Sequence, residues 1–373
     1  MKLKKLNIAI VTPDYYPNNI GGCGLSAYLL ATELYKQGHT VDVFSFDHKK
    51  SSDLSPDSRI TVKRYKAFPK VPLLNNTIAY FQLKKIKKNY DVIHTFNMDL
   101  IPVCSILKSK GNKLVATINN PKGALSSTYK GNRSFFQVVN DFITTKTIQL
   151  FKNQVDHYIS LSEPLTDLYV QNGYNKNSIF VIPNMYDPIF NATTSANLGK
   201  RKYDLLFVGQ LSKKKGLLLL MEAYLQVLNT RPDTTLVIAG KGSLQQQIHE
   251  WIKENNLESK VFLIQKEYSE LPELYRQCKV LVHPALWFEP FSRVWLEALQ
   301  SGLTVVSTKE ATAVNVFKDY FIFCENNNSP ALAKAILSGI SSDFDIDRKS
   351  LSIFLEKFSP KYIVSRITEL YYL

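Results

Sequence analysis

The sequence contains no run of about 18 uninterrupted apolar residues, the length a helix needs to cross a bilayer. Cysteine is scarce: Cys23, Cys104, Cys278 and Cys324 lie far apart and form no CxxC pair, which excludes a disulfide framework and a cysteine zinc site. The six histidines, His39, His48, His94, His157, His249 and His283, include no two at metal-ligand spacing with a carboxylate, so no metal site is expected. The stretch Asp343-Phe-Asp345-Ile-Asp347 mimics an Asp-x-Asp metal motif but reads as helix capping and solvated charge. The start, Met1 to Leu6, imitates the basic region of a signal peptide. The apolar run that follows, Leu6–Val11, is too short for one and ends at Pro13 and Asp14. These absences predict a soluble protein of the reducing cytosol, at most resting on a membrane surface.

With 45% hydrophobic, 12% aromatic and 21% charged residues, the composition is that of a globular chain, and disorder or a fibrous repeat is excluded. Its 373 residues suit two domains, each able to bury its own core. Acidic residues are the ones in short supply: 46 Lys+Arg against 32 Asp+Glu leave a net charge of +14. Residues 1–199 hold 24 of the basic and 13 of the acidic residues, a surplus of 11, and residues 200–373 have a surplus of only 3. An anionic partner is therefore expected on the first half.

Short runs rich in Val and Ile alternate with helix-patterned segments. Strands are predicted at Leu6–Val11, Val41–Phe46, Asp91–Thr95, Lys113–Ile118, His157–Leu161 and Ile179–Ile182, and helices at Leu25–Lys36, Thr77–Lys88, Phe135–Lys152 and Pro164–Asn172. Residues 183–202, rich in Pro, Asn, Thr and Ser, read as a linker. A second series follows, with strands at Asp204–Val208, Thr235–Ala239, Val261–Ile264, Val280–His283 and Thr304–Ser307. Helices at Gly216–Thr230, Leu244–Asn255, Leu271–Cys278 and Phe291–Ser301 lie between them. Such alternation predicts an α/β protein of two doubly wound parallel sheets. Ligands of these sheets bind at the carboxyl ends of the strands, here expected in a cleft between the two domains.

The stretch from His283 to Ser307 carries the most chemistry. Glu289 precedes Pro290, a residue suited to a first helical turn, so Glu289 is expected at or just before a helix start. Glu297 follows eight residues later, roughly 12 Å along a helix axis. That gap is comparable to the distance from sugar to ribose in an extended nucleotide-sugar. The backbone amides of Phe291, Ser292 and Arg293 would then face a diphosphate between the two carboxylates. Spacing alone equally allows two exposed helix carboxylates.

Glu289-x7-Glu297, followed by Ala298 and Gly302-Leu-x-Val-Val, resembles the signature of the retaining glycosyltransferases of family 4, which have the GT-B fold. Asp204-Leu-Leu-Phe-Val-Gly209-Gln210-Leu-Ser-Lys-Lys-Lys215-Gly216 resembles the family's phosphate-binding segment, and Leu236-Val-Ile-Ala-Gly240-Lys-Gly242 its next strand and turn. Val181-Ile-Pro-Asn184-Met-Tyr-Asp187 resembles the domain-linking motif. Tyr16-Pro17 through Gly21-Gly22, with Leu34 and Gly38-His-Thr-Val41, resembles the glycine-rich loop and first helix. Phe358-Ser-Pro to Tyr371 resembles the closing helix that returns to the first domain.

The resemblance implies an N-terminal acceptor-binding Rossmann-like domain at 1–190, with the return of 358–373, and a C-terminal nucleotide-sugar-binding one at 203–357. It also implies a UDP- or GDP-sugar donor and a glycan or lipid-linked acceptor, as in cell-surface polysaccharide or lipopolysaccharide biosynthesis. No cofactor or metal is implied. Glu289 would bind the donor sugar's hydroxyls and Glu297 the ribose. Lys215 would pair with the diphosphate, beside Gly209, Gln210, Gly240, Phe291, Ser292 and Arg293. Gly21 and Gly22 would let the backbone approach the phosphates.

Lys215 also closes the run Lys213–Lys215, which by itself reads as solvated charge; Gly216 and the helix after it favour a phosphate contact. Several positions depart from the family. Gln210 stands where Arg is usual, with Lys213, Lys214 or Arg293 available to compensate. Asn119 holds the place of a frequent active-site His, Ser292 that of a Gly, and Ala311–Asn315 that of a Gly-Gly-x-x-Glu loop. Gln210 and Asn119 motivate the alternative of a catalytically weak or inactive GT-B-fold partner subunit. A basic nucleic-acid-binding protein is a distant alternative, supported by charge alone and by no helix-turn-helix, RNA-recognition or zinc-finger pattern. His94, at a predicted strand end, would stand near the acceptor or be a satisfied core histidine. The segment Tyr80 to Lys88, with Lys84, Lys85, Lys87 and Lys88, would touch an anionic membrane or be an ordinary solvated helix face, and Arg133, Phe135 and Phe136 form a second such candidate.

Overall fold

The computed structural model describes residues 4–18, 22–47, 58–66, 72–84, 89–121, 123–124, 135–191, 201–310, 313–341 and 347–373. The chain divides into two units, Met1–Met185 with Phe358–Leu373, and Tyr186–Lys357.

The first unit is built on seven strands: β1 (Asn7–Thr12), β2 (Thr40–Asp47), β3 (Thr61–Lys66), β4 (Val92–Thr95), β5 (Lys113–Ile118), β6 (His157–Ser160) and β7 (Ile179–Val181). All pair in parallel, in the order β3-β2-β1-β4-β5-β6-β7. The central strands are buried on both faces, and this is why they read as continuous Val/Ile runs. Val11 pairs with Phe44 on one side and Thr95 on the other. The strand order reverses between β1 and β4, which makes their carboxyl ends the topological switch point. Of the helices α1 (Gly22–Lys36), α2 (Pro72–Lys84), α3 (Ile101–Leu107), α4 (Phe135–Phe151) and α5 (Glu163–Gln171), α1, α3 and α5 pack on the sheet, and α2 and α4 pack on α3.

Two of these elements are absent from the sequence reading. Strand β3 carries Lys63, Arg64 and Lys66, and its polar alternation hides it. The Arg64 side chain is nevertheless buried, donating 3.0 Å hydrogen bonds to the Tyr15 and Tyr16 carbonyls. Helix α3 is short and has Pro102 in its first turn. The predicted helix at Thr77–Lys88 starts earlier, at Pro72; residues 85–88 lie outside the described residues.

In the second unit the strands are β8 (Tyr203–Val208), β9 (Leu236–Ala239), β10 (Val261–Ile264), β11 (Cys278–His283), β12 (Thr304–Thr308) and β13 (Phe321–Cys324). They run parallel in the order β10-β9-β8-β11-β12-β13, with the reversal between β8 and β11. The helices are α6 (Leu217–Thr230), α7 (Gln245–Glu254), α8 (Leu271–Arg276), α9 (Arg293–Gln300), α10 (Val314–Phe317), α11 (Ser329–Ile340) and α12 (Arg348–Glu356). Leu205, Phe207, Leu220, Tyr224, Ile238, Val280, Val282 and Ile336 belong to one core cluster. Helix α9 is held by a separate aromatic cluster. Trp295, fully buried, meets His283, Phe317 and Phe321 edge-on at 5.3 Å between ring centroids.

Three expectations change here. Cys278 opens β11 and does not close α8, because its backbone joins the sheet opposite Tyr203. Edge strand β13 and helices α10–α12 extend the unit beyond the last predicted strand. Helix α9 begins at Arg293, so Glu289 and Pro290 sit in the loop after β11 and the two carboxylates do not lie on one continuous helix.

The C-terminal helix, Pro360–Tyr372, belongs to the first unit and packs on α1. Its Tyr371 hydroxyl lies 2.6 Å from Nδ1 of His94, whose Nε2 lies 2.8 Å from Thr117 Oγ1. Burial drives the His94 imidazole down to about 3, so the ring is neutral at physiological pH. Tyr371→Phe leaves one ring nitrogen without its partner in a dry site. The expected cost is about 1–3 kcal/mol, read as a lower urea midpoint; an unchanged midpoint would contradict the contact.

Candidate active site

Three loops meet at the carboxyl ends of β8, β9 and β11. After β8, Gly209 and Gln210 lead through Ser212 into a 3-10 turn, Lys213–Lys215, closed by Gly216 at φ 73°. A Cβ on Gly216 would stand 1.6 Å from the Pro284 carbonyl oxygen, so the left-handed backbone and the close approach both demand glycine. Gly240, after β9, meets the β8 loop as tightly, since its Cβ would lie 1.9 Å from Gly209 O. Leu286, in the loop after β11, donates its amide to Lys214 O at 2.9 Å. The sheet's switch point is thereby fixed by backbone contacts before any side chain acts.

On that scaffold Lys215 Nζ lies 2.6 Å from Glu289 Oε2, with both side chains mostly buried. The Trp287 ring carries the two neighbouring ammoniums, Lys214 Nζ at 5.0 Å and Lys215 Nζ at 5.3 Å from its centroid. Burial pushes the Glu289 carboxyl up, but the Lys215 charge and the Lys215 hydrogen bond more than offset it, and the net shift is downward. Lys214 is shifted down by burial and by its neighbour Lys215. Two cations and one carboxylate at a strand-end switch point leave a positive surplus suited to an anion.

Glu297 behaves in the opposite way. It is buried on α9, and Tyr275 donates a 2.8 Å hydrogen bond to its Oε2. Burial raises its carboxyl and the Arg293 charge only partly offsets this. The Arg293 charge faces Tyr268 and Glu297, and Tyr268 donates to Asp187 at 3.2 Å. Arg293 is therefore engaged in this network, which leaves Lys214 as the cation beside Lys215.

Phe291 and Ser292 are buried where the loop enters α9. Ser292 is the N-cap residue, but its hydroxyl lies 3.1 Å from His283 Nε2 and does not cap the helix. His283, driven by burial to about 4, also has Ser307 Oγ 3.4 Å from its Nδ1, so a neutral ring links two hydroxyls.

In the first unit, Gly22 opens α1 and Gly21 lies outside the described residues. Asn119, at the end of β5, donates 2.7 Å to the Phe96 carbonyl and accepts 2.9 Å from Asn120. Cys23 donates to the same Phe96 carbonyl at 3.2 Å. His94 is the satisfied core histidine of its two readings. Fully buried, with both ring nitrogens held, it offers no nitrogen to an acceptor. Lys84 is exposed with its Nζ 5.4 Å from the Tyr80 ring centroid; Lys85, Lys87, Lys88 and Arg133 lie outside the described residues. Asp347 caps α12, accepting from the amides of Lys349 and Ser350; Asp343 and Asp345 are not described. Among the described residues no group of three His, Cys, Asp or Glu is placed to hold a metal, and no helix is long and apolar enough to cross a membrane.

The sequence reading missed Trp287, Tyr275 and the Ser292–His283–Ser307 chain. Trp287 had a signal in its place two residues before Glu289 within an otherwise apolar run. Tyr275 had none, because its role depends on α8 packing beside α9.

The sequence model for glycosyl transferases group 1 matches residues 191–353, and that for Glycosyltransferase Family 4 matches residues 20–189. The protein belongs to the family 4 glycosyltransferases and has their GT-B fold. An uncharacterized glycosyltransferase of Methanocaldococcus jannaschii is 27% identical over 331 residues, spanning 84% of this chain and 83% of its own. The N-acetylgalactosamine-N,N'-diacetylbacillosaminyl-diphospho-undecaprenol 4-alpha-N-acetylgalactosaminyltransferase of Campylobacter jejuni is 28% identical over 242 residues, 59% of this chain and 64% of that enzyme. Among solved structures, Anabaena HepE in complex with UDP-glucose matches with a TM-score of 0.75 over 98% of both chains, at 19% identity.

The two carboxylates predict opposite pH behaviour. The folded pKa of Glu297 is raised, so the folded state binds its proton more tightly and stability falls as pH rises past the unfolded value. Glu297→Gln should remove that loss, raising the melting temperature by about 2 °C or more at pH 8 and by little at pH 4. Glu289 is depressed, so its contribution is present above the unfolded pKa and lost as pH falls through the folded one. Glu289→Gln should therefore lower stability at pH 8 and converge with wild type in acid. Thermal melts across pH check both signs.

Proposed function

We propose that the protein is a retaining, metal-independent hexosyltransferase. It moves a sugar from a UDP- or GDP-sugar to a glycan or lipid-linked acceptor in cell-surface polysaccharide or lipopolysaccharide biosynthesis. The observation that carries this reading is the Lys215–Glu289 pair at the β8–β11 switch point, with Lys214 beside it. A diphosphate leaving group gains negative charge as the bond to the sugar breaks. Lys215 and Lys214 are the groups suited to neutralise it, which is the role a bound cation would otherwise serve. Glu289, held ionised by Lys215, is a hydrogen-bond acceptor for sugar hydroxyls and a poor general acid at neutral pH. Glu297 would take the ribose hydroxyls. In the retaining reaction the acceptor hydroxyl attacks on the face the diphosphate leaves. The acceptor's C–O bond forms as the sugar–phosphate bond breaks, and the hydroxyl proton passes to the departing phosphate oxygen.

The names of relatives support donor and acceptor class. The Campylobacter jejuni enzyme is named for transfer onto a diphospho-undecaprenol-linked sugar, and HepE was crystallised with UDP-glucose. A lipid-linked acceptor would bring the enzyme to the cytoplasmic face of a membrane. No cofactor takes part in this reading, because the nucleotide-sugar is itself a substrate.

Screening UDP- and GDP-sugars by thermal stabilisation should find a donor, since a ligand at 100 times its dissociation constant adds about 2.7 kcal/mol. Transfer should survive EDTA, and Lys215→Gln and Glu289→Gln should each lose about 100-fold or more in kcat while remaining folded. Full activity in either variant refutes the site. A donor that binds without transfer or hydrolysis would favour the partner-subunit reading, for which the exposed Gln210 and the fully engaged Asn119 side chain argue.

A further inference from the structure

Helix α4 faces its apolar side outward. Thr144 and Ile148 are its buried residues among those described, whereas Val138, Val139, Phe142, Ile143 and Leu150 are exposed, by 50%, 37%, 55%, 41% and 81%. Val138, Phe142, Lys146 and Leu150 recur every fourth residue and form one stripe, which Val139 and Ile143 widen. The Lys146 ammonium lies 5.6 Å from the Phe142 ring centroid, within the stripe itself. Helix α3 packs against both α2 and α4, and α3 and α2 each carry an exposed apolar side chain, Ile106 and Phe81. An exposed apolar stripe of this kind marks an interaction surface.

Charge identifies the partner. The half of the chain that carries α4 has a surplus of 11 basic residues, and Lys84 and Lys146 are exposed on the helices of the patch. A second copy of the chain would set this surplus against itself, whereas a bilayer with anionic headgroups complements it. We propose that the outward face of α4 docks on an anionic lipid surface. Phe142, Ile143 and Leu150 enter the headgroup–acyl boundary, and Lys146 and Lys84 remain at headgroup level. This moves the membrane contact expected at Tyr80–Lys88 onto the neighbouring helix. It rests on the proposed function only for its purpose, delivery of the acceptor-binding unit to a lipid-linked acceptor.

Vesicle co-sedimentation of the full chain tests it. With about 30 mol % phosphatidylglycerol, binding should be about 10-fold stronger than to pure phosphatidylcholine and should weaken with added salt. The double variant F142E/I143E, and separately L150E, should lose about 10-fold of that binding, since each places a charge at the apolar boundary. UDP affinity and melting temperature should stay at the wild-type value in both, showing that the fold is intact. The proposal fails if wild type ignores anionic vesicles, or if the variants bind them equally well. It also fails if analytical ultracentrifugation shows a wild-type dimer that F142E/I143E converts to monomer, because the face is then a self-interface. Absent binding of both UDP and GDP by wild type would instead refute the proposed function and leave the vesicle result standing.

Discussion

The ion pair between Lys215 and Glu289 is the contact around which the carboxyl-end loops of the second unit's sheet are arranged. A buried carboxylate is costly unless it is paired and hydrogen-bonded, so the pair holds only where the backbone delivers both partners to one place. Here the sheet does so. Strands β8 and β11 are neighbours because the strand order reverses between them, and their carboxyl-end loops must meet. Gly216 lets the lysine turn lie against Pro284, and the Leu286 amide fastens that turn through the Lys214 carbonyl. Trp287 then gives the two ammoniums a common polarisable face, which tolerates two adjacent positive charges with one carboxylate nearby.

The difference between the two carboxylates follows from their partners and not from their depth, since both are buried. Glu289 has an ammonium in contact and is held low; Glu297 has a neutral tyrosine hydroxyl in contact, with Arg293 contributing only charge, and is held high. Two residues separated by eight positions in one motif are thereby prepared for different work. An ionised group can accept hydrogen bonds from sugar hydroxyls at any physiological pH. A group poised upward gains most when a ligand supplies donors to it, because those donors relieve its desolvation.

Much of the fold is legible in the sequence because parallel strands buried on both faces must be continuous apolar runs, and glycines and prolines punctuate them. Some elements escape such reading because their burial is achieved by charged side chains. Strand β3 is the clear case: Arg64 looks like surface, yet its guanidinium fills carbonyl acceptors of the β1 loop. Within the site, Lys215, Glu289 and Glu297 stand out through the family resemblance of the segments that carry them, since spacing alone leaves them open, whereas Tyr275 and the Ser292–His283–Ser307 chain are contacts between elements far apart in sequence. The helix start at Arg293 was displaced for a related reason. Pro290 suits a first turn, but Ser292 and the buried Phe291 are held by His283 and the Trp295 cluster, and the helix can begin only after them.

The basic surplus resolves along the same lines. In the second unit the positive charge that matters is local, two lysines set against one glutamate. In the first unit two ties at the carboxyl ends of the inner strands are made by neutral groups: the His94 ring between Tyr371 and Thr117, and the Asn119 amide on the Phe96 carbonyl. The excess lysines there are not consumed by those ties. The described ones on α2 and α4 stand in solvent beside aromatic rings, with an apolar stripe at hand. Exposed lysines beside exposed apolar side chains are the combination a lipid interface rewards on both counts.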